Sequence, residues 1–184
     1  MKRLILLAPI ALAACNQGPS VTATNASAGE VAAKVEAATG GAAFVSPGQW
    51  KGTMTVSDVQ IPGAPPAMAE QMKKGMGEPH SFVTCLTPED VQKPKEKFFG
   101  DAAAGDCRYN RFTMAGGTID AEMTCAQSGQ ERTTKMTGSY SPNAYKMVVQ
   151  STGKAAPGNP VSGMTMTMAI DSQRTGACTG EEED

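Results

Sequence analysis

At 184 residues, with 16 basic and 18 acidic side chains, the chain is the size of one domain and has no basic surplus. No patch of Lys and Arg stands out to meet phosphates, which argues against nucleic acid as a partner. Aromatic residues make up only 5% and methionines number 12, so a folded core must be modest and would gain from covalent help.

The N-terminus carries the most specific signal. Lys2 and Arg3 form a basic start, and Leu4 to Ala14 form an apolar run. That run is too short to span a bilayer, which needs roughly 20 apolar residues. It ends in Leu12-Ala13-Ala14-Cys15, the pattern of a bacterial lipobox, in which cleavage precedes a cysteine that is then diacylated. The alternative is an ordinary signal peptide followed by a chance cysteine. Lipidation of Cys15 would anchor the protein to a membrane on its periplasmic face. Asn16 follows the cysteine, which favours the outer membrane over the inner one. Loss of Lys2 and Arg3 from the 16 basic residues, against 18 acidic ones, leaves a mature charge near −4.

Residues 15–43 are mostly Ala, Ser, Thr and Gly and read as a flexible tether behind the lipidated cysteine. Glu30 to Ala38 could form a weak helix, with Val31 and Val35 one turn apart. Residues 44–178 read as a single β domain, and residues 179–184 as a solvated acidic tail.

Within the domain, Trp50, Gly52, Met54 and Val56 alternate with polar neighbours as a half-buried strand. A Pro-rich break follows. Ala67 to Met76 is a helical candidate with Met68, Met72 and Met76 at four-residue spacing. His80 to Leu86 reads as a strand, and Thr87-Pro88-Glu89-Asp90 as a capped helix start that Pro94 cuts short. Lys95 to Ala104 is a loop that Phe98 and Phe99 could pin to the core. Two strand-like runs then flank Gly116-Gly117, a short-range hairpin signal. Glu131 to Tyr140, Ala144 to Thr152 and Val161 to Ser172 read as further strands, the first two joined by a turn at Ser141-Pro142-Asn143. The expected fold is all-β: an antiparallel barrel or sandwich of about seven to eight strands with one or two short helices. The barrel is favoured.

With Cys15 set aside, Cys85, Cys107, Cys125 and Cys178 remain, an even number suited to an oxidising compartment. Pairing Cys107 with Cys125 closes the open end of the Gly-Gly hairpin, and Cys85 with Cys178 ties back the C-terminal strand. Strict alternation would put Cys107 on the opposite face from Cys125, so this pairing needs a β-bulge between Cys107 and Arg111. Free thiols or a zinc site are the alternatives, and no Cys-x-x-Cys pair supports the latter.

These residues resemble domain-of-unknown-function family 3617, a group of exported proteins and lipoproteins of Gram-negative bacteria. The resemblance rests on Pro47-Gly48-Gln49-Trp50, Cys85-Leu86-Thr87-Pro88-Glu89, Cys107, Gly116-Gly117, Cys125, Gly138-Ser139-Tyr140 and Arg174-Thr175-Gly176-Ala177-Cys178. It covers nearly the whole folded part. It implies location and fold, and no activity. A fainter similarity is to lipocalin-like barrels, through Gly48-x-Trp50 and an arginine, Arg174, that would pack over the tryptophan.

Catalytic parts are scarce. His80 is the single histidine, so any catalytic triad would have to use it. Glu89 and Asp90 fit helix capping, and Asp120 and Glu122 fit a solvated strand face. No cofactor is expected. Met68, Met72, Met76 and His80 could offer thioether and imidazole ligands to Cu(I), although Pro79 takes His80 off the helix line. Packing into a core short of aromatics is the favoured role for the methionines. The sequence therefore points to a non-enzymatic binding or envelope-structural module. The alternatives are a lipocalin-like carrier of an apolar small molecule and a copper binder, and the expected partners are the membrane and an apolar ligand or envelope protein.

Overall fold

The structure, a computed structural model, describes residues 19–41, 44–92, 106–127 and 130–180. The basic start, the lipobox with Cys15, Pro94, the segment with Phe98 and Phe99, and residues 181–184 lie outside the described residues. Eight strands form one antiparallel sheet: β1 (Val21–Ser27), β2 (Gly48–Gln60), β3 (His80–Leu86), β4 (Asp106–Ala115), β5 (Thr118–Gln127), β6 (Gln130–Ser141), β7 (Ala144–Gly153) and β8 (Thr165–Gly176). Their order is β1-β4-β5-β6-β7-β8-β2-β3. The all-β expectation holds, and the sheet is open rather than closed. Its edges are β1 and β3. Among the described residues three α-helices accompany it: α1 (Ala28–Thr39), α2 (Pro66–Met76) and α3 (Pro88–Gln92).

Local rules explain most of the turns. Gly116 and Gly117 both have positive φ, 58° and 76°, as a two-residue hairpin with right-handed strand twist requires. Asp90 accepts from the Thr87 amide at 2.8 Å while the Thr87 hydroxyl accepts from the Asp90 amide at 3.1 Å, a reciprocal cap that starts α3.

Cross-strand pairing makes the two faces of the sheet chemically distinct. Val21, Met114, Ile119, Gly138, Met147, Ile170, Met54 and His80 form one row across all eight strands. The parallel row beside it contains Ala23, Phe112, Ala121, Met136, Val149, Met168 and Val56. These rows give one face that is almost wholly apolar. The opposite face carries exposed ion pairs, Arg111–Asp120 at 2.6 Å, Lys135–Glu122 at 3.8 Å and Lys146–Asp171 at 2.6 Å. At such exposure each contributes little to stability.

The bulge needed for the Cys107–Cys125 pairing is present. Tyr109 faces Met123 while Arg111 faces Glu122, so Asn110 has no counterpart in β5 and Cys107 comes to stand opposite Cys125. Disulfides join Cys107 to Cys125 and Cys85 to Cys178, across sequence separations of 18 and 93. By loop entropy these are worth about 3 and about 4.5 kcal/mol against the unfolded chain.

The flexible tether expected over residues 15–43 is corrected for its described part. β1 pairs with β4 as an edge strand, and α1 follows at once, started by a Ser27–Glu30 capping box and stopped at Gly40 in left-handed geometry. Ala28, Val31, Ala32 and Val35 form the buried stripe of α1, at helical spacing. Val31 is 0% exposed and Val35 1%. They pack with Tyr109, Phe112, Met114 and Ala121 into the larger of two apolar clusters. The folded unit therefore includes β1 and α1, ahead of residue 44. The smaller cluster joins Val45, Trp50, Leu86 and Val91, and Phe44 packs against both.

Candidate functional site

Between the apolar face of the sheet, α1 and the Phe44-Val45 segment lies a cavity of about 320 Å³. Strands β4 to β8 each contribute to its wall, among them Phe112, Ile119, Met136, Met147 and Ile170, while Val35 and Phe44 close it from the other side. Every described residue lining it is apolar or a tyrosine. Its size falls in the lower part of the range, roughly 300–1,000 Å³, in which proteins hold small molecules.

One wall of the cavity is shaped by a glycine on the neighbouring strand. Gly138 sits in the central row where its neighbours carry side chains. A Cβ there would collide with the Lys146 carbonyl oxygen and lie 2.5 Å from the Met147 sulfur. Met147 thus leans over β6 in place of a residue at 138.

Three tyrosines supply the polar groups. Tyr140 and Tyr145 are directly opposite each other where β6 turns into β7. Tyr145 packs on Trp50 at 5.6 Å between ring centroids and shares a side-chain hydrogen bond with Ser172, whose hydroxyl donates to the Lys51 carbonyl at 3.2 Å. Tyr140 meets the Phe44 ring edge-on at 5.9 Å. Its hydroxyl is buried without a hydrogen-bond partner among the described residues. Burial raises the pKa of all three phenols, that of Tyr109 to about 12, so each is a neutral hydrogen-bonding group at physiological pH.

The residues singled out in the sequence fall elsewhere. On α2, no residue is buried: Met68 is 44% exposed and Met76 37%, with Met72 half-buried. The core role favoured for this stripe is therefore corrected. His80 is exposed at the start of β3, opposite Met54 rather than in line with the helix. No cluster of three or more His, Cys, Asp or Glu that could hold a metal occurs among the described residues. Met166 and Met168 do face the apolar side, half-buried. Trp50 is fully buried and donates its indole N–H to the Ser46 carbonyl at 3.1 Å. Arg174 stands opposite it in register, and its Nε donates to the Pro47 carbonyl at 2.7 Å, pinning the turn before β2. The cavity tyrosines were not among the sequence candidates. Their signal was available: Tyr140 and Tyr145 flank the Ser141–Ala144 turn symmetrically, which makes them cross-strand neighbours.

Fold and cavity together define a disulfide-tied, all-β domain with an apolar cavity on one face of its sheet. Residues 45–178 match the family described as "Protein of unknown function (DUF3617)", and the chain belongs to that family. No curated protein and no solved structure matches the chain. β1, α1 and Phe44 precede the matched region, yet Val35 and Phe44 complete the cavity. Among the described residues no helix is long and apolar enough to cross a membrane.

Proposed function

We propose that this protein is a non-enzymatic binding protein, exported and lipid-anchored at Cys15, that holds one small, largely apolar molecule between its sheet and α1. The observation that carries this reading is the apolar, uncharged cavity of about 320 Å³. Binding there would be driven by removal of apolar surface from water. The carboxylate pairs are otherwise engaged, Asp90 in a helix cap and Asp120 and Glu122 in ion pairs, which favours binding over catalysis.

The location is supported by the Leu12-Ala13-Ala14-Cys15 lipobox and by two disulfides, which persist in oxidising compartments. Asn16 after the cysteine favours the outer membrane. With β1 starting at Val21, the span from Cys15 reaches at most about 20 Å. An acylated Cys15 would therefore hold the domain at the membrane surface rather than far from it.

A native mass spectrum of the full protein, exported to a periplasm and purified without detergent stripping, tests the binding reading. A mass excess of one small organic molecule over the disulfide-bonded lipoprotein is the expected result. The bare lipoprotein mass would instead support an envelope-structural module that works through protein contacts.

A further inference from the structure

We propose that the Tyr140 hydroxyl is the polar anchor of this cavity, so that the ligand is a neutral, mostly apolar molecule carrying a hydroxyl or carbonyl group. The inference rests on the reading of the cavity as a binding site and adds the chemistry of what it accepts.

Three observations carry it. First, the Tyr140 hydroxyl is buried and unpartnered among the described residues, while the neighbouring Tyr145 has Ser172. A buried hydroxyl without a partner is costly, and phenylalanine would fill the same place without that cost. A group supplied by a ligand removes the penalty. Second, no charged side chain lines the cavity among the described residues. A carboxylate or ammonium inside it would be desolvated without a counter-ion, so charged ligands are excluded more strongly than neutral ones. Third, the volume bounds the size. An apolar cavity of roughly 150 Å³ holds benzene, so about 320 Å³ suits a molecule of about a dozen non-hydrogen atoms. A two-chain lipid does not fit.

The test uses matched probes and the Tyr140→Phe variant of the full folded protein, with calorimetric titration of 4-ethyltoluene, 4-ethylphenol and 4-ethylbenzoate. The first two have nearly the same shape, with a hydroxyl in the second where the first has a methyl. Saturable binding of 4-ethyltoluene to the wild type tests the cavity itself, and its absence sinks the binding reading along with this one. Given that binding, Tyr140→Phe should weaken 4-ethylphenol about three- to tenfold and leave 4-ethyltoluene unchanged. 4-Ethylbenzoate should bind neither form measurably at neutral pH. Equal effects of the substitution on the two neutral probes, or tight binding of the benzoate, would overturn the assignment while leaving the cavity intact as a site. A thermal scan without probe gives an independent check. The variant should melt at or above the wild-type temperature, because an unpaired hydroxyl has been removed. A clear drop would mean that Tyr140 already has a protein partner, and would overturn the proposal.

Discussion

Cys107 stands opposite Cys125 because Asn110, between Tyr109 and Arg111, is left without a counterpart in β5. The bulge reverses the alternation of β4, so that Cys107, Tyr109, Phe112 and Met114 share a face. Asn110 holds the kink by donating to Glu122 and Thr124, each at 3.0 Å. Deleting Asn110 removes only the unpaired residue, so β4 should run in strict alternation with Cys107 still opposite Cys125. Thiol titration of the exported deletion should then find no free cysteine from this pair, and two free cysteines would contradict this register.

Val31 separates a tether from a structural element. A tether residue tolerates substitution within about 0.5 kcal/mol, whereas a fully buried valine does not. Val31→Ala should cost about 2 kcal/mol in denaturant unfolding, through lost apolar burial and the hole left behind. No loss would return β1 and α1 to the role of a linker.

The capping box of α1 predicts a response to acid. Glu30 accepts from the Ser27 amide at 2.6 Å, and the Ser27 hydroxyl accepts from the Glu30 amide at 3.2 Å. These bonds, led by the one from the Ser27 backbone, hold the Glu30 carboxyl below its ordinary 4.5. The unfolded chain keeps the ordinary value. The stabilisation is therefore complete above it and is lost as pH falls through the lower folded value. Glu30→Gln retains an acceptor without the charge, so its stability should converge with that of the wild type between about pH 5 and pH 3. A gap that stays constant over that range would contradict the cap.

Tyr109 predicts the opposite limb. Desolvation pushes its phenol up to about 12 from an ordinary 10.0. The folded state favours the neutral form, so stability is intact below pH 10 and declines as pH rises towards the folded value. Tyr140 and Tyr145 shift the same way. Tyr109→Phe should lose less stability than the wild type between about pH 9 and pH 11 in matched denaturant titrations. Parallel declines would show that Tyr109 ionises freely.

The sequence made legible what local rules govern. The Trp50 strand, the Gly116-Gly117 hairpin, the Thr87–Asp90 cap and both disulfides follow from alternation, turn chemistry and cysteine parity. β1 was hidden, and α1 showed only as a weak helix over Glu30 to Ala38, because their buried stripe is built mainly of small residues, Ala23, Ala26, Ala28 and Ala32 with three valines. Composition alone reads such a stretch as linker. Their binding surface, on β4, lies far along the chain. Sheet closure was equally out of reach, since counting strands does not say whether the outermost two meet. On α2, methionine spacing describes a stripe and not whether a surface covers it. Part of the candidate site was visible in Tyr140 and Tyr145 across their turn. The cavity was not, because alternation gives the facing of side chains and not the volume they leave unfilled.

The most direct test of the binding account is a methyl NMR titration with methionine methyl-¹³C label and 4-ethyltoluene. Met136 and Met147 line the cavity, and Met68 and Met76 lie exposed on α2. The account predicts saturable shifts of the Met136 and Met147 methyls with one affinity, while the Met68 and Met76 methyls stay in place. Shifts confined to the α2 methionines, or none at saturation of the probe, would show that the chamber under α1 is packing space and not a binding site.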